Sequence, residues 1–229
     1  MDVTFDGTVV RGGPAARERF YDARGYGRPD DGGVVLAPVE AAHLLFRGDL
    51  DNVADRRPGA DGRQLDFPAV LNSTAVSEVA FFVYKDLRDR GFYLSPVDRD
   101  GPGGAGEFAV YPRGQGPWDD EVAYRVRAVS ERATVDAGAL RGLADPVDDR
   151  ARGSDREPTG VLAVVDEESE LTYLELGVPT GLGAPHHDLP SAHGDLLADR
   201  VVVRGPPLPL YGRALYGQPL GEGVHLSLV

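Results

Sequence analysis

The chain has 229 residues, 41% of them hydrophobic, with 24 Lys and Arg against 37 Asp and Glu, for a formal charge of -13 at pH 7. That length and apolar content suffice for one large or two modest folded domains and exclude a disordered acidic tail. Cysteine is absent, which excludes disulfides, thiol nucleophiles and thiolate metal sites, and no apolar run approaches the roughly 20 residues of a membrane helix.

The opening MDVTFDGTVVRGG lacks a basic start followed by an apolar core, so a cytosolic protein is expected. A short strand is predicted around Val9 and Val10. APVEAAHLLFRGD then reads as a helix, with Pro38 in its first turn, Val39, Ala42, Leu45 and Phe46 on one stripe, and Gly48 past its end. The polar DNVADRRPGADGRQ is expected to be loop. NSTAVSEVAFFVYKDLRDRG predicts the strongest helix, with Asn72, Ser73 and Thr74 as cap candidates, a stripe at Val76, Val79, Ala80, Val83 and Leu87, and Gly91 as terminator.

Beyond Gly91 the period becomes extended: FYLSPV, a glycine-rich turn DRDGPGGAGE, EFAVYP, a loop carrying Trp118, and EVAYRVRAV. A helical piece spans Asp136 to Leu143, and DPVDDRARGSDREPTG reads as a mobile charged connection. VLAVVDE and LTYLELG form a predicted hairpin across Asp166-Glu167-Glu168-Ser169-Glu170, its first arm apolar enough for an interior strand. PTGLGAPHHDLPSAHGDLL reads as loop, and ADRVVVRG repeats the early VVRG of Val9 to Gly12. Helix followed by mixed strands, after a small separate module, indicates an α+β fold.

The end of the chain has been met before. At a constant offset of 190, Tyr21, Tyr26, Gly27, Pro29, Gly33, Val34, Leu36 and Val39 recur as Tyr211, Tyr216, Gly217, Pro219, Gly223, Val224, Leu226 and Val229. The sequence therefore reads as one long repeat and the opening of a second. Lys85 is the only lysine, and with the net acidity this matches proteins adapted to brine. At molar salt the Debye length falls to about 3 Å and self-repulsion is screened, so high acidity does not exclude an RNA partner. An acidic mesophilic protein with skewed codon usage is the alternative.

YKDLRDRGFYL, EFAVYPRG, EVAYRV and VLAVVDEESELTYLEL, in that order and spacing, resemble the archaeal tRNA-splicing endonuclease (tRNA-intron endonuclease) family, and FYDARGYGRP with PVEAAHLL is similar to that family's N-terminal domain. Some members fuse two subunit copies, the first architectural and the second catalytic, which fits the internal repeat. The resemblance implies an N-terminal domain over 1–71, a nuclease-like mixed-sheet domain with flanking helices over 72–176, and a partial second N-terminal domain over 177–229. It also implies a cytoplasmic enzyme, without a cofactor, acting on precursor tRNA and paired with a second copy or a catalytic subunit.

The family's chemistry, as the resemblance implies it, is metal-free: the ribose 2′-hydroxyl attacks the adjacent phosphate, leaving a 2′,3′-cyclic phosphate and a 5′-hydroxyl. That requires a base, an acid and a cation for the developing charge, roles held by Tyr, His and Lys. Tyr111 matches the tyrosine. Glu121 stands where the histidine is expected, and Arg156-Glu157-Pro158-Thr159-Gly160 stands where the lysine is expected. The first copy is thus expected to be inactive, with Tyr111 vestigial. By the same resemblance Asp166, Glu167, Glu168 and Glu170 would enter a cationic cleft on a catalytic copy. An assembly subunit without activity of its own, paired with a separate catalytic chain, is the second functional reading.

Plainer readings stand beside these. Tyr111 also reads as a strand tyrosine with its hydroxyl bonded, and the acidic turn as a solvated hairpin tip. His186, His187, Asp188, His193 and Asp195 are of the types that bind zinc or manganese, but they sit in a Pro/Gly loop without helical spacing. GPGGAG is a turn rather than a phosphate cradle, and DRARGSDRE is a linker before it is an RNA contact.

Overall fold

Short β-branched segments set up the first sheet of the computed structural model, which describes residues 2–73, 76–97, 107–119, 121–144, 158–177, 193–198, 200–204, 218–220 and 223–227. Strand β1 (Val3–Phe5) turns Val3 and Phe5 inward. It pairs antiparallel with β2 (Val10–Gly12), while β4 (Gly33–Leu36), buried throughout, joins β2 to the exposed edge strand β3 (Arg28–Asp30). On the other side β1 pairs parallel with β5 (Val53–Asp55), which carries β6 (Gln64–Leu65). The order is β3-β4-β2-β1-β5-β6. Strand β5 lies inside the segment expected to be loop, and β6 begins at its last residue, Gln64. Only Val53, Asp55 and Leu65 of these two strands are buried, too few to show an alternation in the sequence.

Between β2 and β3, helix α1 (Pro14–Ala16) runs into a π-helical turn, Arg17–Asp22, that buries Phe20. Helix α2 (Pro38–Phe46) forms where expected, with proline in its first turn. Its burial differs from the predicted stripe: every residue from Pro38 to Leu45 is buried, Glu40 and His43 included, while Phe46 is half exposed. The helix is enclosed, so its polar residues need internal partners.

Helix α4 (Glu78–Asp89) is capped by Ser77, whose hydroxyl accepts from the Ala80 N–H at 3.1 Å. Asn72 and Ser73 belong instead to a separate helix, α3 (Phe67–Ser73), and Thr74 lies outside the described residues. Gly91 ends α4 at φ +85°, the left-handed backbone that glycine adopts without strain.

The second sheet contains β7 (Leu94–Pro96), β8 (Glu107–Val110), β9 (Tyr124–Ser130), β10 (Thr159–Val165) and β11 (Leu171–Leu176), in the order β11-β10-β9-β8-β7. Only β9 and β10 are parallel, so the sheet is mixed. Helix α5 (Ala137–Ala144) packs on β10 so closely that a Cβ at Gly160 would overlap the Leu143 carbonyl. One apolar core runs from Val3 and Phe5 through α2 and α4 to Phe108, Val126 and Val165. The glycine-rich turn at 98–106 and the charged connection at 145–157 lie outside the described residues.

Residues Met1–Val178 form one compact unit and Pro179–Val229 another. The second contains β12 (Gly194–Leu196), inside a stretch expected to be loop, then β13 (Arg200–Arg204), β14 (Gln218–Leu220) and β15 (Gly223–Ser227). Its order, β12-β13-β15-β14, reproduces β1-β2-β4-β3. The registers agree as well: Val3↔Gly12 recurs as Gly194↔Val203, Val10↔Leu36 as Val201↔Leu226, and Pro29↔Val34 as Pro219↔Val224. The strands correct one detail, since Val201 rather than Val203 takes the place of Val10. A shift of two residues keeps every side chain on its face, which is why the VVRG match looked sound.

Candidate functional site

The topology of the second sheet gathers the end of β8 and the starts of β9 and β10 at one edge. Val110 pairs with Tyr124 and Tyr124 with Thr159, and the Ala123 N–H donates to Val110 while its carbonyl accepts from Thr159, both at 2.9 Å. Tyr111, the approach to β9 that carries Glu121, and Thr159 are thereby neighbours in the fold although distant in sequence. Tyr111 is 8% exposed, its N–H donates to the Tyr93 carbonyl at 3.0 Å, and its hydroxyl donates to Ser95 Oγ at 3.2 Å. Glu121 is half-buried. Arg156 and Glu157 lie outside the described residues.

The hairpin of β10 and β11 ends in the acidic turn. Asp166 closes it by accepting the Glu170 N–H on Oδ1 at 2.8 Å, and Ser169 adopts φ +65°. Glu167 pairs with Arg132, while Glu168 and Glu170 are exposed. The middle of this hairpin is tied to α4: the Tyr173 hydroxyl donates to Asp86 Oδ2 at 2.7 Å, Arg90 Nε donates to the same oxygen at 2.6 Å, and the guanidinium lies over the Tyr173 ring. Burial, then the bond to Asp86, raises the Tyr173 pKa. Replacing Tyr173 by Phe is expected to lower stability by about 1 kcal/mol, measured from the urea midpoint. An unchanged midpoint would mean that Asp86 and Arg90 need no third partner.

A second polar cluster joins α2 to α4. Glu40 accepts the N–H groups of Gly27 at 2.8 Å and Ala37 at 2.7 Å, supplying the glutamate half of a capping box. His43 Nδ1 lies 3.0 Å from the Tyr26 hydroxyl, and its Nε2 is buried without a hydrogen-bond partner. Burial, and then the positive charge of Arg88, Arg47 and Lys85, pushes the imidazole down to about 4. Arg88 stacks on Tyr26 with Cζ 3.9 Å from the ring centroid and donates through Nη2 to the Arg24 carbonyl at 2.9 Å. YKDLRDRG thus works as a clamp: Tyr84 fills the core against Phe108 and His43, Asp86 and Arg90 hold the β11 hairpin, and Arg88 holds the segment before β3.

Residues 1–63 match the family described as the tRNA intron endonuclease, N-terminal domain. The whole chain aligns with the tRNA-splicing endonuclease of Haloarcula marismortui at 51% identity, covering 62% of that protein. The Natronomonas pharaonis tRNA-splicing endonuclease is 49% identical over 92% of this chain and 56% of its own length. That of Methanosarcina acetivorans is 32% identical over all of this chain and 63% of its own. The chain is thus similar to tRNA-splicing endonucleases over its whole length.

The chain spans about 62% of the Haloarcula relative's length, and the aligned region includes both of its compact units. His186, His187 and Asp188 fall outside the described residues, and among the described residues no group of three or more His, Asp or Glu could hold a metal ion. Asp195 is paired with Arg204 at 3.3 Å, and His193 is exposed. Among the described residues no helix is long and apolar enough to cross a membrane. Sequence reading missed the convergence of Arg24, Arg47 and Arg88 with Tyr26, Phe92 and Tyr93 around one pocket. No motif links these positions. The nearest signal is the Arg88 of YKDLRDRG, a cation at a helix end whose stem must cross apolar surface.

Proposed function

We propose that this chain is the architectural repeat of a fused tRNA-intron endonuclease, with residues 1–71 as its N-terminal domain, 72–176 as a degenerate nuclease-like domain, and 177–229 as the opening of the next repeat. The whole enzyme cleaves precursor tRNA in the cytoplasm at bulge-helix-bulge intron boundaries, without metal, to 2′,3′-cyclic phosphate and 5′-hydroxyl ends. The observation that carries the reading is the edge formed by Tyr111, Glu121 and Thr159. A carboxylate stands where the resemblance puts the proton donor, and the phenol is turned into a part-buried bond with Ser95. A carboxylate there repels a developing phosphorane, and a phenol with neither an imidazole nor an ammonium beside it does little unaided. The register-for-register recurrence of the first sheet supports the repeat layout.

The architectural role falls to the acidic turn, whose Asp166, Glu167, Glu168 and Glu170 would meet arginines of a catalytic copy, the second copy of this chain or a separate subunit. Charge-assisted hydrogen bonds in a partly dry cleft retain strength in brine better than exposed pairs. The test is cleavage of a bulge-helix-bulge RNA at high salt with a chelator present. This chain is expected to give no cyclic-phosphate ends, and the same chain extended by the remaining part of the Haloarcula relative is expected to give them. Robust cleavage by this chain alone would overturn its assignment as the inactive repeat.

A further inference from the structure

In a chain with 37 acidic residues against 24 basic ones, three arginines open onto a single cleft of about 240 Å³. Arg24, Arg47 and Arg88 supply its charge, and Tyr26, Phe92 and Tyr93 supply flat walls. Asp49 answers two of them, accepting from Arg24 Nη1 at 2.7 Å and lying 3.3 Å from Arg47 Nε, while the charge of the buried Glu40 acts on Arg88. Arg88 spends Nη2 on the Arg24 carbonyl, while its Nη1 is buried with no hydrogen-bond partner. The guanidinium is held between rings, its Cζ 3.9 Å from the Tyr26 centroid and 5.3 Å from that of Tyr93. A pinned, buried, unmet N–H donor is tolerated where an acceptor can enter, and a guanidinium fork matches phosphate oxygens.

The aromatic surface continues outward. Trp118, 46% exposed, meets Tyr93 edge-on at 5.5 Å and Tyr21 at 6.1 Å. Arginine beside exposed rings is the combination that holds a phosphate while a base stacks. We propose that the cleft between Arg24, Arg47 and Arg88 binds the phosphate of a nucleotide unit, with Tyr93 and Trp118 offering the stacking face. The phosphate can be carried by an RNA strand or by a free mononucleotide. The proposal rests on the cleft's own chemistry, and binding is read out separately from cleavage.

Trp118 is the only tryptophan, which makes its emission a local reporter. The full chain is titrated at constant ionic strength with inorganic phosphate, AMP, a short oligouridylate, and uridine as the phosphate-free control. A saturable change is expected with the phosphate carriers and none with uridine. A response to the oligonucleotide identifies a strand as the source, whereas a response to AMP or phosphate without it identifies a free small anion.

Two surface variants probe the charges in opposite directions while leaving the buried Arg88 in place. Arg47→Gln is expected to weaken binding about tenfold, and Asp49→Asn, which frees Arg24 and Arg47, to tighten it severalfold. Circular dichroism identical to the parent chain shows that each variant is folded. Silence toward every phosphate carrier, or parent-like binding by both folded variants, would overturn the proposal.

Discussion

Replacing Glu40 by Ala is expected to destabilise the unit Met1–Val178 by about 3–5 kcal/mol, a large share of the 5–15 kcal/mol typical of a folded domain. The side chain is fully buried and accepts two backbone N–H groups, those of Gly27 and Ala37, which are themselves buried. Each buried donor left without an acceptor costs about 1–3 kcal/mol, and the α2 cap disappears with it. Glu40→Gln, which keeps one acceptor but turns an amide toward the other donor, should fall between the two. The measurement is the guanidinium midpoint at fixed salt. A loss below about 1 kcal/mol for Glu40→Ala would show that the two donors find other acceptors.

Glu40 also shows where sequence reading reached its limit. Proline at the first turn and glycine after the end located α2, because those signals are local. Enclosure of the helix on all sides is a tertiary fact: Glu40 and His43 lie inside because Gly27, Ala37 and Tyr26 come to meet them. The cap of α4 moved to Ser77 because Phe67 to Ser73 forms a helix of its own, and Asn72 is spent inside it. Strands β5 and β6 are held by pairing to β1 and to each other rather than by any period of their own. At the candidate site the residue types at Tyr111 and Glu121 were legible, but the edge that makes them neighbours exists only once β8, β9 and β10 pair. The arginine cleft was illegible for the same reason, since Arg24, Arg47 and Arg88 come from three separate stretches of the chain.

The second large effect is on pH dependence, through His43. The imidazole is 0% exposed, bonded on one nitrogen to Tyr26 and unpartnered on the other, with Arg88, Arg47 and Lys85 disfavouring a proton and Asp89 favouring one. Its pKa is about 4 in the fold, against an ordinary value of 6.5. The unfolded chain therefore binds the proton more readily than the folded one. This contribution to stability is complete above about pH 6.5 and is lost as pH falls from there toward 4. At pH 4.5 the loss amounts to about 2.5 kcal/mol, from a shift worth about 1.4 kcal/mol per unit. Carboxylates titrate at the lower end of the same window, so the informative quantity is a difference. His43→Phe keeps a ring against Tyr84 and Phe81 but cannot take a proton, and it is less stable at neutral pH for want of the Tyr26 bond. The gap between parent and variant, from urea midpoints at constant salt, should close by about 2.5 kcal/mol between pH 7.5 and 4.5, because only the parent pays the protonation penalty. A gap that stays constant across that range would mean that the folded protein accommodates an imidazolium here, and that the cluster around Arg88 opens to water at low pH.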